Sequence, residues 1–297
     1  MNNQRERAAR AALSLAASLG ATAFCHWQNN GLTVSDCAFE SPRLPRAFDG
    51  LRVVHLSDLH NKTFGRGQRK LLAVIRARNP GLIVVTGDCI DKRRTTPDST
   101  GPALELLRGA AEIAPTFYVA GNHEEYCGFY PRFRAQAQAT GAHNLDWFGA
   151  ELHRQGETIR LIGLGDPNFL RTSSDRRGLV EYERRLWALA ERGEGFTLLL
   201  AHRPELHRLY AQAGVDLAFC GHAHGGQLRL PVVGPVIAPG QGLFPRYTGG
   251  LVRHGGRGTV ISRGLGNSLF PQRLGNRPQV VTVTLRRDLS TMPTEEC

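Results

Sequence analysis

From residue 51 onward, short apolar runs alternate with stretches whose apolar residues recur at helical spacing. Residues 51–57 (LRVVHLS) read as a buried strand, and Leu71, Leu72, Val74 and Ile75 then form an apolar stripe that predicts a helix over 69–78. Asn79-Pro80 ends that helix, because a proline cannot donate to it and disfavours helical backbone in the residue before it. Residues 81–86 (GLIVVT) predict a second strand, 103–113 a second helix, 116–120 a third strand and 131–140 a third helix. Further strands are expected at 159–164, 196–201, 217–220, 259–262 and 280–285, with helices around 180–191 and 205–212. Such strand–helix alternation specifies an α/β sandwich with much parallel pairing. The domain runs over 51–287 without a repeat or an internal linker, leaving 288–297 as a tail.

The amino end follows a different pattern. Arg5, Arg7 and Arg10 precede an uncharged run of small and apolar residues, 11–24. That run is shorter than the roughly 20 apolar residues of a comfortable membrane span, and Ala21-Thr22-Ala23 has the small-x-small form of a cleavage site. A cleaved signal peptide, an uncleaved short anchor and an ordinary amphipathic helix all fit. The basic flank favours export or anchoring over 1–24, with the bulk of the chain on the outer side of a bacterial membrane. Residues 25–50, with Pro42 and Pro45, read as a linker or an edge segment.

Composition narrows the class further. The chain has 297 residues, 41% hydrophobic and 21% charged, which excludes fibrous, disordered, coiled-coil and polytopic membrane proteins. The net charge of +11 rests on 37 basic residues, all but Lys62, Lys70 and Lys92 being arginine, scattered without a long run. A nucleic-acid binder concentrates its charge beside aromatic platforms, so no specific nucleic-acid partner is expected. The field still favours phosphates and anionic lipids. The six cysteines form no CxxC pair, which excludes a zinc ribbon.

The chemistry sits at the strand ends. Asp58-Leu59-His60 follows the first strand, Gly87-Asp88 and then Asp91 the second, and Gly121-Asn122-His123-Glu124 the third. Later, His202 and Gly221-His222-Ala223-His224 each follow an apolar run. In an open α/β sheet ligands gather outside the carboxyl ends of the strands, so five separate segments aim at one place. Two carboxylates, four imidazoles and an asparagine carbonyl form a mixed oxygen and nitrogen set suited to Mn, Zn or Fe. Gly87, Gly121 and Gly221 are read as sharp turns that point the ligands inward. Two cations about 3.5–4 Å apart would polarise a phosphoryl oxygen and activate a water.

The strings SDLH, GDCID, GNHE, AHRP and GHAHGGQ resemble the calcineurin-like metallophosphoesterase superfamily from Leu51 to Leu285. LRVVHLSDLHNKTFG and SRGLGNSLFPQRLGNRPQVV resemble more closely a branch of small bacterial phosphodiesterase-like proteins with an N-terminal signal or anchor. Some relatives of that kind cleave the pyrophosphate of UDP-diacylglucosamine. The resemblance implies a layered sandwich of two mixed β-sheets flanked by helices and two divalent metal ions per chain. One ion would be held by Asp58, His60 and His224 and the other by Asn122, His202 and His222, with Asp88 bridging. His123 would bind the phosphate or protonate the leaving oxygen, oriented by Asp91, with Glu124 as the competing orienter.

For substrate contacts, Arg203, Arg246 and Arg263 are candidate cations, and the turn Gly264-Leu265-Gly266-Asn267 a source of backbone donors. Asn61 and Phe64 are placed at the entrance, and His55 inside the first strand is read as packed. Residues 228–244 read as a hairpin, or as a surface for a membrane or an acyl chain. Three functions share these residues: hydrolysis of a phosphodiester or pyrophosphate, on a substrate such as a lipid-linked one, hydrolysis of protein or nucleotide monoesters, and non-catalytic capture of metal or phosphate at a membrane.

Overall fold

A computed structural model of the protein describes residues 2–170, 175–193, 195–268 and 270–288. The expected tail lies outside them apart from Asp288. Twelve strands build two six-stranded sheets. In chain order they are β1 (Thr33–Ser41), β2 (Arg52–Leu56), β3 (Leu82–Thr86), β4 (Thr116–Val119), β5 (His143–Asn144), β6 (Gly149–Arg154), β7 (Glu157–Gly163), β8 (Thr197–Leu200), β9 (Leu217–Cys220), β10 (Gly250–His254), β11 (Arg257–Ile261) and β12 (Gln279–Arg287). The first sheet has the order β1-β12-β2-β3-β4-β5 and the second β10-β11-β9-β8-β7-β6. Each is mixed: β2 to β5 and β7, β8, β9 and β11 run parallel, while β12–β2, β6–β7 and β10–β11 pair antiparallel.

Parallel strands that need helical crossovers explain the four layers. The strands read as continuously apolar, such as β3 and β8, are buried on both faces. Val53, Val84, Phe117, Leu198, Phe219 and Val260 fill the space between the sheets. On the outer face of the first sheet, α2 (Arg69–Ala77), α3 (Gly101–Ala111) and α5 (Tyr130–Gln138) cover a second core with Leu71, Ile75 and Phe133. On the outer face of the second, α6 (Asp175–Ala190) and α7 (His207–Gln212) cover Tyr182, Leu186 and Tyr210. The expected two-sheet sandwich with flanking helices is borne out.

The amino end forms one helix, α1 (Asn2–Asn30). Residues 25–30, expected to begin a linker, continue it, and β1 is then the edge strand along all nine residues of β12. Four more elements escaped the sequence: β5, β6, β10 and the one-turn helix α4 (Asn122–Tyr126). Between β9 and β10 two short antiparallel pairs, Arg229–Leu230 with Gly234–Pro235 and Ile237–Ala238 with Gly242–Leu243, form the expected hairpin region.

Candidate metal centre

The carboxyl ends of β2, β3, β8 and β9 and the start of α4 meet at one buried point. Asp58, His60, Asp88 and His224 offer ligand atoms within 4.8 Å of one another, as do Asp88, His202 and His222. His224 Nε2 is 3.0 Å from His60 Nε2 and 3.3 Å from Asp58 Oδ1, while Asp88 Oδ2 is 3.7 Å from His60 Nε2 and 3.3 Å from His202 Nε2. Asp88 thus faces both halves of the cluster. Asp58, His60, Asp88, His222 and His224 all have φ between +47° and +63°, each costing about 1 kcal/mol or more for a residue with a Cβ.

The three glycines serve this packing differently from the expected turns. Gly87 alone has positive φ, at +89°. A Cβ on Gly121 would collide with Asp88 Oδ1, and one on Gly221 with Ser57 Oγ and Asp58 Oδ2. Those two are glycine because another ligand loop passes against them. The Gly264–Asn267 turn also belongs to the frame: the Leu265 amide donates to Ser57 O at 3.0 Å, the Gly266 amide to Asp58 O at 2.6 Å, and the Gly264 amide to Ser262 Oγ.

The donor set fits divalent metal ions. His202 donates from Nδ1 to Thr86 O at 2.6 Å, which leaves Nε2 facing the Asp88 carboxylate with no hydrogen-bond partner. Two lone pairs 3.3 Å apart in a buried site call for a positive charge between them, either a proton on Nε2 or a metal ion. Burial opposes a charged His202 imidazole, yet the facing Asp88 outweighs it and raises its pKa to about 10. Asn122 Oδ1 is likewise buried without a partner. Burial keeps His60, His222 and His224 neutral, with the neighbouring imidazoles, Arg203 and Arg273 adding to the effect, so their nitrogens are available as ligands. Burial alone would raise Asp88, but His202, His123 and His60 hold it well below the usual carboxylate range.

The residues around the cluster differ from expectation in several places. His123 lies against His60 with ring centroids 4.5 Å apart, and its Nδ1 accepts the Lys92 amide at 3.2 Å, which leaves the proton on Nε2. Asp91 is 3.9 Å from that Nδ1, beyond hydrogen-bond reach, and its oxygens are held by the Arg93 amide and the Arg94 guanidinium. Glu124 does not touch the imidazole in the hydrogen-bond network; its carboxylate accepts the amides of Asp88, Ile90 and Gly121 and so clamps two ligand loops together. Arg203 is bound bidentately to buried Asp166, at 2.6 and 3.0 Å, and donates from Nη1 to His222 Nε2 at 2.9 Å. With Nε2 accepting, the neutral ring carries its proton on Nδ1, so a metal on either nitrogen requires Arg203 to give up this bond.

Arg263 turns toward Thr33 Oγ1 on β1, Arg246 is exposed on the hairpin region, and Phe64 is buried in the core under α2 and α3. Asn61 and Asn267 do line a cleft of about 450 Å³ that opens beside His60, together with Lys62 and Arg94. The sequence reading missed Lys62, Arg94 and Asp166, although Gly165-Asp166 follows β7 as Gly87-Asp88 follows β3.

Comparison with known proteins agrees with this geometry. The calcineurin-like phosphoesterase family matches residues 51–226. The chain is 31% identical to the phosphodiesterase YaeI of Escherichia coli, over 79% of this chain and 82% of that one. It is 28% identical to the uncharacterized metallophosphoesterase YkuE of Bacillus subtilis over 86% of each. Its fold is that of the crystal structure of TT1561 of Thermus thermophilus, with a TM-score of 0.50 at 14% identity over 72% of this chain and 89% of that one.

Proposed function

The chain belongs to the calcineurin-like phosphoesterases, and from that premise we propose that it hydrolyses a phosphodiester or diphosphate bond with water activated by two divalent ions, Mn, Zn or Fe, on a lipid-linked substrate such as UDP-diacylglucosamine. The carrying observation is the convergence of Asp58, His60, Asp88, His202, His222 and His224, with His202 Nε2 buried, unpartnered and 3.3 Å from the Asp88 carboxylate. Asp58, His60 and His224 would hold one ion and Asn122, His202 and His222 the other, with Asp88 between them. Such ions, when bound, polarise the phosphoryl group and lower the pKa of a water.

The chain's own side chains do the rest. His123, neutral because burial lowers its pKa against the pull of Asp88 and Asp91, offers an Nε2 proton to a phosphoryl or leaving oxygen. Arg203, held by Asp166, stands on His222 Nε2 and would release that nitrogen on metal binding. Glu124 fixes the loops that carry Asp88 and Asn122.

Membrane association, on the outer side of a bacterial membrane, belongs to the same proposal. No helix among the described residues is long and apolar enough to cross a membrane; in this proposal α1 lies against the membrane surface. Leu13, Leu15, Leu19, Phe24 and Trp27 are exposed along it. Phe24 also shares a largely apolar groove of about 610 Å³ with Leu230, Pro231 and Val232, suited to an acyl chain. Flotation with anionic vesicles tests this: the chain should float, and Leu19→Asp with Phe24→Asp should abolish it.

For the chemistry, the protein is stripped by chelation, given one metal at a time and assayed on bis-p-nitrophenyl phosphate beside p-nitrophenyl phosphate. The diester should be preferred, and Asp88→Asn should cost about a thousandfold, the several kcal/mol of ion-derived stabilisation. Equal rates after metal removal overturn the reading.

A further inference from the structure

The cleft beside His60 is not consumed by the metal cluster. Its walls carry two cations, Lys62 and Arg94, and the side chains of Asn29, Asn61 and Asn267, and none of its lining residues is acidic. Lys62 extends its ammonium over the Phe64 ring at 5.2 Å and donates to the Asn29 carbonyl and to Asn267 Oδ1, two neutral oxygens. An ammonium has three protons to donate, so one remains for a ligand. Arg94 uses Nη2 on Asp91 Oδ2 and Asn267 O, leaving Nε and Nη1 without a hydrogen bond among the described residues.

Lys62, partly buried beside the metal centre with no carboxylate partner, has a donor position that an anion would complete. We propose that Lys62 and Arg94 form a second anion subsite, which takes the neighbouring phosphoryl group of a diphosphate diester while the first sits at the metal centre. This rests on the hydrolytic reading above and names its substrate class: a diphosphate linkage rather than a single-phosphate diester. The subsite is completed by the end of α1, because Asn29 holds Lys62 through its carbonyl and Asn267 through its Oδ1 at 3.1 Å. A segment far away in the chain therefore sets the reach of the cleft.

The test is calorimetric and needs no turnover. At a fixed free Mn concentration, methylenediphosphonate and inorganic phosphate are titrated into the metal-loaded full chain and its variants. The diphosphonate should bind at least tenfold tighter than phosphate. Lys62→Met and Arg94→Gln should each erase most of that advantage while shifting phosphate less than threefold, and Lys62→Arg should keep it. Equal affinities in the unaltered protein, or equal losses for both ligands in both variants, overturn the subsite. Should Lys62→Met fail to fold, Arg94→Gln decides, its side chain being exposed. A diphosphonate advantage that both variants lose, in a chain that hydrolyses no ester, would sink the hydrolytic reading alone; hydrolysis of diesters without that advantage would sink the subsite alone.

Discussion

Replacing Asp166 with asparagine removes one charge from a buried chain of contacts that ends at a metal-ligand candidate. Asp166 is fully buried, binds Arg203 through both oxygens at 2.6 and 3.0 Å, and so aims Nη1 at His222 Nε2. Breaking a buried pair from one side costs about 3–5 kcal/mol, because the surviving charge loses its partner. Glu205, 3.6 Å from Arg203 Nη1, still offers a carboxylate, which places the loss near about 3 kcal/mol. For a domain of this size the melting temperature should fall by about 6–12 °C. Metal affinity should drop as well, because the Arg203 cation beside His222 is left without its compensating charge. Urea unfolding of the stripped protein and calorimetric metal titration read the two quantities. The double variant Asp166→Leu with Arg203→Met removes both charges: stability should largely return, as it does when a buried ion pair is replaced by apolar groups, and metal binding should return with it, since no uncompensated cation then faces His222. A loss under about 1 kcal/mol, or a double variant no more stable than the single one, would refute the argument from an uncompensated charge.

Three further outcomes follow from the geometry. His55 is buried between Thr86 Oγ1 at 2.8 Å and the Phe219 ring, and burial lowers its pKa from 6.5 to about 3. The unfolded chain therefore binds more protons between pH 3 and 6.5, so stability falls as pH drops through that window; His55→Leu with Thr86→Val should shrink the pH 7 to pH 5 loss by about 2 kcal/mol, and an unchanged pH slope in denaturant unfolding refutes this. Gly221→Ala should abolish metal binding in a folded chain, since its Cβ would meet Ser57 Oγ and Asp58 Oδ2, whereas Gly256→Ala, with open space around it, should be silent in the same titration. Divalent metal at about 100 times its dissociation constant should stabilise the unaltered chain by about 2.7 kcal/mol and Asp88→Asn by far less; equal thermal shifts would refute the placement of Asp88 between two ions.

The parts of the site that were legible are those whose position follows from strand ends alone. Asp58, Asp88 and His222 each stand one or two residues past an apolar run, so the parallel sheet carries them to one edge whatever the loops do. Contacts made across the chain were not legible. Asp166 occupies the same place after β7, but it holds an arginine rather than facing the cluster, and nothing in the local pattern separates those uses. The Lys62 subsite depends on Asn29 and Asn267, drawn together only because α1 docks against 271–275. Arg263 was misread because it follows β11 as the ligands follow theirs, yet its guanidinium runs back toward β1.

The strain at the centre explains why so much of the frame consists of backbone held by buried side chains. Five candidate ligands sit at positive φ, together costing several kcal/mol that nothing local returns. The hydrogen bonds that offset it come from elsewhere: Glu124 ties the Asp88 and Gly121 amides, the Asp58 carboxylate accepts the His222 amide, Asp88 accepts that of His123, and Asn276 donates to His224 O at 2.6 Å. Each ligand loop is thus fixed by a group on another loop. A centre held in this way is already shaped before an ion arrives, so binding energy is not consumed in ordering it. The same mutual dependence means that one displaced loop releases its neighbours, and the strained residues would relax together toward ordinary backbone.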